Sequence, residues 1–582
     1  MREWVDLFLL GLRVRMMHVE RSCLLRRRSL SVGLALAAAV GYSALCAAQA
    51  PPSTPGGLRI GSGSDSLKTL RAELNTCAGE LGTVVDAAPG ANGSVKYARA
   101  ALATTRYFGL IVDKKSTVGR TQEAVDDVQF LKQLCSEHVT LLRSGRSLPY
   151  DENLRLRDFS GAVVTNGEFR VNGRPVMLLG PVGHKQLGEE QHLVSEFGFN
   201  AIGDDFNNFA SISAVKAPGS VDGAPIARLP DARKSLEQQG LFISFNPTLH
   251  YLSPSVVNKF PDVTGGNPPK YPSLYGGFMP YSLASDTMRT VVQDYYDALF
   301  AALPKAPVSR FFWLLNEPSY ELLTDPAYRQ SYRGYLRSKY HDIQTLNDAW
   351  ATSFGDFSDV PVDVPGTDAD RFDAAVFRQQ YLTQWVQWLY AEVKKRSPNA
   401  MVSNKPMAHR LFDVSGGVDF EAEAQLLDVP GSDAYRNPSK MKYGFAWPQP
   451  IALYDFQKSV APNKPLADLE AHYVEEKGAE ESYVEAALWQ SFLHGVRLAT
   501  FWVWDTGELD QSKQAPTGKR DTVWAQPRAA WATAKTTLDL QRLSDLVATF
   551  PLAPQVHIYY SKPSLIASKT AQDTVKWVYE AA

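Results

Sequence analysis

The spacing of hydrophobic residues changes near residue 165, from a helical period to short apolar runs. Before that point two stripes recur at helical spacing, namely Leu67, Leu70, Leu74 and Leu81 in the first and Val125, Val128, Leu131, Cys135 and Val139 in the second. These stripes predict an accessory helical hairpin over residues 66–150. They show no catalytic constellation.

After residue 165, apolar runs alternate with amphipathic stretches. Phe311–Leu315 is uninterrupted by polar residues, which is typical of a strand buried on both faces in a parallel sheet. The predicted strands are Val176–Leu179, Phe199–Ile202, Leu241–Phe245, Phe311–Leu315, Met401–Ser403, Leu427–Pro430, Leu466–Leu469 and Ala499–Trp504. Helices predicted between them include Glu189–Phe197, Asp231–Gln239, Met288–Leu303, Ala374–Arg396 and Ser482–His494.

Eight strands with intervening helices predict an α/β fold, a (β/α)8 TIM barrel over residues 165–510. A hairpin turn at Asn172-Gly173 precedes the first strand. A doubly wound open sheet is the alternative, but no glycine-rich dinucleotide turn follows an early strand. Residues 511–582 predict a helix and then a short C-terminal α/β extension beginning with a strand at Gln555–Tyr560. This extension either packs on the barrel or begins a further domain of a longer protein.

The N-terminus has the pattern of a signal peptide. Arg26–Arg28 precede an apolar run at Leu30–Val40, and Ala47–Ala50 provides a small-residue cleavage site. The run is too short and too rich in alanine for a stable membrane span. We therefore expect a signal peptide at 1–50, a flexible linker at 51–65, and export to the periplasm or the extracellular space.

Composition narrows the function classes. The chain has 582 residues, with 60 basic and 62 acidic residues and a formal net charge of −2, so there is no electrostatic case for a nucleic-acid partner. Aromatic residues make up 11% of the chain, which suits a sugar-binding cleft or simply a large core. After signal removal only Cys77 and Cys135 remain, and they form either a disulfide or two buried thiols. The sequence gives no support for a particular oligomer.

Polar residues follow all eight predicted strands, at the end where parallel barrels carry their chemistry. A solvated loop explains any one of them more readily than a site does, so only the set carries weight: His184; Asp204 and Asp205; Asn246 and His250; Asn316 and Glu317; Asn404 and His409; Asp433 and Tyr435; Asp468, Glu470 and His472; Trp502, Trp504 and Asp505. We take His184, Asn246 and His250 as candidate substrate contacts.

Two of these carboxyl groups form a candidate catalytic pair. Glu317 follows the fourth predicted strand and Glu470 ends the seventh, and these strands face each other across a barrel's mouth. Two opposed carboxyl groups are what glycoside hydrolysis requires, one to protonate the leaving oxygen and one to attack or to activate water. Asp468 is more readily explained as a carboxyl whose hydrogen bonds are satisfied inside the barrel. No zinc-ligand spacing, nucleophile elbow or phosphate loop is present, so we predict an O-glycosyl hydrolase with no metal and no cofactor.

A family resemblance sharpens this prediction. Asn316-Glu317-Pro318 on a fourth strand with a glutamate on the seventh resembles the clan A glycoside hydrolases. Arg333–Trp350 resembles the helix and the Leu-Asn-x-Ala-Trp turn of the family 42 β-galactosidases. The resemblance implies a retaining mechanism with the following roles: Glu317 as acid/base, Glu470 as nucleophile, Asn316 on the sugar 2-hydroxyl, Tyr435 orienting the nucleophile and Trp504 flooring the sugar site.

The chain also departs from that family. The surroundings of the seventh strand, Asp468–Tyr473, differ from the usual ones, and the helical segment before the barrel is foreign to it. The leading hypothesis is an exported retaining hydrolase of β-linked sugars. One alternative is an endo-acting polysaccharide hydrolase of the agarase, mannanase or glucanase type, and another is a non-catalytic carbohydrate-binding barrel. The sugar, the linkage and exo or endo action stay open.

Overall fold

The structure is a computed structural model. It describes residues 63–88, 93–146, 148–183, 187–204, 211–266, 278–303, 311–362, 366–435, 448–473, 481–504, 523–550 and 556–581, all within one compact unit. The predicted signal peptide and linker residues 51–62 lie outside these ranges. Among the helices described, none is both long enough and apolar enough to cross a membrane.

The N-terminal segment forms three helices rather than the predicted hairpin: α1 (Gly63–Ala87), α2 (Gly93–Thr117) and α3 (Thr121–Arg143). The sequence pattern missed α2 because small and polar residues, among them Ala98, Ala100 and Ala101, interrupt the apolar residues of its buried face. Because α1 begins at Gly63, the predicted linker ends at residue 62. A disulfide between Cys77 and Cys135 joins α1 to α3.

Helix α2 fastens this segment to the rest of the chain. The Tyr97 hydroxyl donates a hydrogen bond to Asp539 at 2.8 Å, and the Tyr107 hydroxyl donates one to Glu190 Oε2 at 2.9 Å. Tyr97 is buried, and a buried phenol normally needs such a partner. Polar contacts, of which the Tyr97–Asp539 bond is buried, therefore hold the helices against the rest of the chain.

The strands of the described residues form a small antiparallel sheet, a parallel barrel and one short hairpin. Their bounds are β1 (Val163–Thr165), β2 (Glu168–Val171), β3 (Arg174–Pro175), β4 (Leu178–Gly183), β5 (Ala201–Asp204), β6 (Val215–Ala217), β7 (Ser220–Val221), β8 (Phe242–Phe245), β9 (Phe311–Asn316), β10 (Met401–Lys405), β11 (Gly431–Tyr435), β12 (Leu466–His472) and β13 (Val496–Trp504).

Eight of these strands pair in the order β10-β9-β8-β5-β4-β13-β12-β11, and every pairing is parallel. The two ends of this sheet meet, because the Asp433 amide donates to the Pro406 carbonyl at 2.8 Å. Gly431 allows the approach, since a Cβ there would lie 2.2 Å from the Asn404 carbonyl oxygen. The predicted (β/α)8 barrel is confirmed.

Helices surround the barrel and extend beyond it. Their bounds are α4 (Leu187–Glu190), α5 (Gly223–Ile226), α6 (Leu229–Gln238), α7 (Pro254–Lys259), α8 (Asp286–Ala302), α9 (Pro326–Tyr340), α10 (Ile343–Trp350), α11 (Asp368–Arg396), α12 (Phe420–Leu426), α13 (Pro448–Val460), α14 (Glu481–Leu493), α15 (Pro527–Arg542), α16 (Ser544–Ala548), α17 (Lys562–Ala567) and α18 (Lys569–Ala581).

The small sheet β1–β3 covers the N-terminal end of the barrel. Its predicted turn is present, with Asn172 and Gly173 at φ +50° and +80°, the left-handed values that a two-residue hairpin of this type needs. Phe169 from β2 lies 5.4 Å from the ring of Phe242 and 6.2 Å from that of Phe311. These two rings belong to the first residues of β8 and β9, so an apolar core fills this end of the barrel.

Three further predicted elements differ from the structure. The sixth barrel strand begins at Gly431 instead of spanning Leu427–Pro430, because Pro430 has no N–H to donate to a ladder. The predicted helix at Glu189–Phe197 is the short α4 followed by a 3-10 turn. The predicted strand at Gln555–Tyr560 is absent from its described part, residues 556–560. There the Tyr560 hydroxyl bonds to the Leu411 carbonyl at 2.9 Å, which holds the segment as irregular chain.

Candidate active site

Glu317 lies immediately beyond β9. The strand is buried from Phe311 to Leu315 and becomes half-buried at Asn316 and Glu317. Glu317 has φ +41°, a left-handed conformation that is uncommon for a residue with a side chain. Its amide donates to the Lys405 carbonyl at 2.9 Å, which fixes the backbone where the chain turns away from the strand.

Glu470 lies on β12 and is 7% exposed. One of its oxygens accepts a hydrogen bond from the Lys405 ammonium. Its other oxygen lies 3.1 Å from His472 Nε2. Both carboxyl oxygens therefore have cationic or polar partners, which a buried carboxylate requires.

Lys405 and Asp433 complete the cluster. Lys405 ends β10 and is 3% exposed, with its Nζ atom 4.8 Å from the centre of the Trp313 ring. Asp433 is buried on β11, directly opposite Glu470 in the β11–β12 register. Its carboxyl oxygen lies 4.0 Å from His472 Nε2. The C-terminal ends of four consecutive elements of the closed sheet thus supply one buried charge cluster.

The surroundings shift the pKa values of the carboxyl pair in opposite directions. Burial, together with the negative charge of Glu470, raises the pKa of Glu317 against the opposing effects of Lys405 and a hydrogen bond with Asp433. Burial also acts to raise the pKa of Glu470, but the Lys405 ammonium and His472 outweigh it and lower that pKa to about 2. This arrangement keeps Glu470 ionised at neutral pH and makes Glu317 the carboxyl of the pair that holds its proton more strongly.

The other members of the cluster respond to the same charges. Burial and then the Glu470 carboxylate raise the pKa of Asp433 well above its usual range. The pKa of Lys405 is raised, because its carboxylate neighbours, led by Glu470, outweigh the effect of burial. Lys405 therefore remains a cation although it is buried.

Asp433, Glu470 and His472 have ligand atoms within 4.8 Å of one another, a spacing that could hold a metal ion. The Lys405 ammonium already contacts Glu470 at this point and would repel a metal cation. We therefore interpret these residues as part of an ammonium–carboxylate cluster and not as metal ligands.

The predicted substrate contacts are only partly described. Asn316 is half-buried at the end of β9, and Asn246 is buried just after β8. Burial and then the charge of Lys405 lower the pKa of His250 to about 3, so His250 is close enough to feel the cluster and is neutral. The side chain of Tyr435 and the whole of His184 lie outside the described residues, and their predicted roles stay predictions.

The expectation for Trp504 needs correction. Trp504 is 0% exposed, its Nε1 donates to Glu190 Oε2 at 2.7 Å, and its ring stacks on Trp524 at 3.8 Å. It has no exposed face for a sugar, so it acts in packing. Trp502, two residues earlier on β13, is half-buried and stacks on His472 at 5.6 Å, which makes it the better candidate for a sugar contact.

A second layer of polar residues supports the cluster from β10. Asn404 is fully buried, and its Oδ1 accepts from the Leu315 amide at 3.0 Å. Its Nδ2 donates to Glu423 Oε2 on α12 at 3.0 Å. Burial raises the pKa of Glu423 to about 7. Asn404 therefore fixes β10 relative to β9, the two strands that carry Lys405 and Glu317.

Sequence reasoning assigned no catalytic or binding role to four residues that the structure brings to the site. Asp433, His472 and Trp502 were noted as polar or aromatic residues after strands, but no spacing rule separated them from loop residues. Lys405 was not considered. Its signal was available, since a lysine directly after the run Met401–Asn404 must be buried if the strand continues.

A parallel (β/α)8 barrel with glutamates at the ends of its fourth and seventh strands resembles the clan A glycoside hydrolases. Within that class, residues 234–517 match the model of glycoside hydrolase family 42, described as beta-galactosidase. This span contains Glu317, Lys405, Asp433 and Glu470. By sequence, residues 234–517 are similar to family 42, and the chain shares its fold with a solved member of that family.

A curated relative shows the same similarity. The chain is 28% identical over 189 residues to the beta-galactosidase GalA of Bacillus licheniformis, a match that covers 30% of this chain and 28% of that protein. The chain thus matches less than a third of the length of this curated relative.

Solved structures share the fold at low identity. An exo-carrageenase of family 42 from Bacteroides ovatus aligns with TM-score 0.66 and 19% identity, over 88% of this chain and 74% of that one. A cold-adapted beta-galactosidase from Rahnella sp. R3 aligns with TM-score 0.57 and 17% identity, over 73% and 65% of the two chains.

Proposed function

We propose that the protein is a retaining glycoside hydrolase that cleaves β-linked sugars by double displacement. The observation that carries the proposal is the opposite shift of two carboxyl pKa values around one ammonium. Glu317 is favoured as the acid and Glu470 is held ionised as the nucleophile. Such enzymes assign the two roles by placing their carboxyl groups in environments that move the two pKa values apart.

In the first step, Glu470 attacks the anomeric carbon while Glu317 gives its proton to the departing oxygen. In the second step, Glu317 takes a proton from water, which attacks the same carbon and releases Glu470. Asn316 would hold the sugar 2-hydroxyl, and Trp502 would contact the apolar face of the sugar. His472 hydrogen-bonds the nucleophile and supports its ionised form.

We propose a β-galactoside-type substrate. The support comes from the beta-galactosidase description of the matching family and from GalA. The test is a panel of aryl β- and α-glycosides, including the galactoside, glucoside and mannoside, together with agar and carrageenan oligosaccharides. Product stereochemistry is read by NMR. Release of a β-sugar from the β-galactoside supports the proposal. Cleavage within oligosaccharides would instead indicate an endo-acting hydrolase. Binding without turnover would refute catalysis.

The two catalytic roles are separable by chemical rescue. Glu317→Gln removes the acid, and we expect a loss on the order of 10²–10⁴-fold in turnover of substrates with poor leaving groups. Glu470→Ala with azide should yield the glycosyl azide of inverted configuration, whereas Glu317→Ala with azide should yield the retained one. Glu421→Gln, a partly exposed carboxyl on α12, is the matched control. Full activity of either catalytic variant would refute the assignment of Glu317 as acid/base and Glu470 as nucleophile.

We also propose that the protein is exported. The proposal rests on the sequence pattern of residues 1–50 and is supported by the disulfide between Cys77 and Cys135, since disulfides persist mainly in oxidising compartments. N-terminal sequencing of the protein recovered from periplasmic and culture fractions tests it. Recovery only of reduced, uncleaved protein from the cytoplasm would refute export.

A further inference from the structure

Lys405 is attached to both residues of the proposed catalytic pair. Its backbone carbonyl accepts the amide of Glu317 at 2.9 Å, next to the pairing of Lys405 with Asn316 in the β9–β10 register. Its ammonium donates to Glu470 on β12. Lys405 therefore contacts both glutamates at the mouth of the barrel. Its carbonyl binds the backbone of Glu317, and its ammonium binds the side chain of Glu470.

The ammonium is held in place by its surroundings. It is buried and lies 4.8 Å from the Trp313 ring, where a cation is attracted by the face of the ring. The titratable groups that face it come from every element around it, namely Glu470 and His472 on β12, Asp433 on β11, Glu317 after β9 and His250 after β8. Among these described groups, three are carboxyls and Lys405 supplies the permanent cation.

We propose that Lys405 is a positioning residue that serves as a shared counter-charge for the two glutamates, an inference that rests on the proposed function. In the first step a bond forms between Glu470 and the anomeric carbon, the bond to the leaving oxygen breaks, and the proton of Glu317 passes to that oxygen. The negative charge therefore disappears from Glu470 and appears on Glu317. The second step returns it.

The position of the ammonium suits both states of this cycle. An ammonium has three donors, and Lys405 uses one of them on Glu470 in the free enzyme. Its charge also reaches Glu317, whose carboxylate it stabilises. The site therefore needs no new cation when the charge moves, and a preorganised charge of this kind costs no rearrangement during the reaction.

This role has a directional consequence for pH dependence. The ammonium lowers the pKa values of Glu470 and of Glu317 alike. Ionisation of Glu470 sets the acidic limb of the activity profile, and loss of the proton of Glu317 sets the alkaline limb. Removing the ammonium must therefore move both limbs to higher pH. A lysine that served only Glu470 would move the acidic limb alone.

The experiment compares the wild-type protein with Lys405→Met and Lys405→Arg. The measurement is kcat/KM for an aryl β-galactoside as a function of pH. Lys405→Met should shift both limbs upward by about one pH unit or more, which is a tenfold change in each ionisation constant, and should lower kcat more than it raises KM. Lys405→Arg keeps the charge and should restore the wild-type limbs. Unmoved limbs in Lys405→Met, or movement of the acidic limb alone, would overturn the proposal.

A second measurement separates this inference from the proposed function. Carboxyl titrations of Glu317 and Glu470 by ¹³C NMR need no substrate. If the wild-type protein cleaves no glycoside, the proposed function fails while the titrations still test Lys405. If turnover is normal and both titrations are unchanged in Lys405→Met, the inference alone fails. Should Lys405→Met not fold, Lys405→Met/Asp433→Asn removes the cation together with a neighbouring carboxyl of the cluster. It is compared with Asp433→Asn alone, and the same upward shifts are expected.

Discussion

Glu423 should make the protein less stable as pH rises. Its side chain on α12 is buried, and its pKa is raised from 4.5 to about 7 by burial, against the hydrogen bond from Asn404. Between these two values the folded state keeps a proton that the unfolded state has released. The free energy of unfolding therefore falls as pH increases through this window and levels off above pH 7.

The magnitude follows from the shift. A shift from 4.5 to about 7, at 1.36 kcal/mol for each unit, corresponds to about 3 kcal/mol. Glu423→Gln keeps an acceptor for the Asn404 amide and cannot ionise. We therefore expect the variant to match the wild-type protein at pH 4 and to exceed its stability at pH 8 by up to about 3 kcal/mol.

The assay is urea unfolding at a series of pH values from 4 to 8, with thermal midpoints recorded in parallel. Glu421→Gln is the control, because this carboxyl lies on the same helix with its side chain 47% exposed, and its removal should leave the pH dependence unchanged. If the free energy of unfolding of Glu423→Gln and of the wild-type protein changed with pH in parallel, ionisation of Glu423 would not destabilise the folded state, and the reasoning would be refuted.

Three further outcomes are expected. Trp502→Ala should raise KM for a glycoside with little change in the thermal midpoint, because its ring is half-buried beside the cluster; an unchanged KM in steady-state kinetics would exclude a sugar contact. Trp504→Phe should lower stability by about 1–3 kcal/mol, since it leaves the half-buried carboxyl of Glu190 without its indole donor; chemical denaturation measures this, and an unchanged midpoint would contradict it. Reduction of the disulfide, which closes a separation of 58 residues, should cost about 4 kcal/mol; equal unfolding curves with and without reductant would contradict that value.

The barrel strands were predictable because a strand buried on both faces must be continuously apolar. Phe311–Leu315 differs from the observed β9 by one residue, and Phe242–Phe245 lies wholly within its prediction. The N-terminal helices were harder. Helix α2 buries alanines that a hydrophobic pattern weighs lightly, and its role in packing depends on partners more than 400 residues away, such as Asp539.

The site was predictable only as far as chemistry restricts residue type. Glu317 and Glu470 were identified because two carboxyls on opposite strands suit one reaction. Trp504 was misassigned because both tryptophans at the end of β13 fit a sugar floor. The choice between them depends on Trp524, which packs on one ring only after the chain has folded. Lys405 was missed because a buried cation is expected only once its carboxylate neighbours are known.

The hydrogen bonds that Tyr107 and Trp504 both donate to Glu190 bear on how this protein should be divided for expression. A fragment that starts at residue 165 would remove Tyr107 and would also leave Asp539 without the hydroxyl of Tyr97. It would uncover the apolar side of α15 that α2 now covers. A piece that preserves these contacts together with the Cys77–Cys135 disulfide and the whole of α1 starts at Gly63, so the helices are part of the barrel's outer wall and not a detachable appendage.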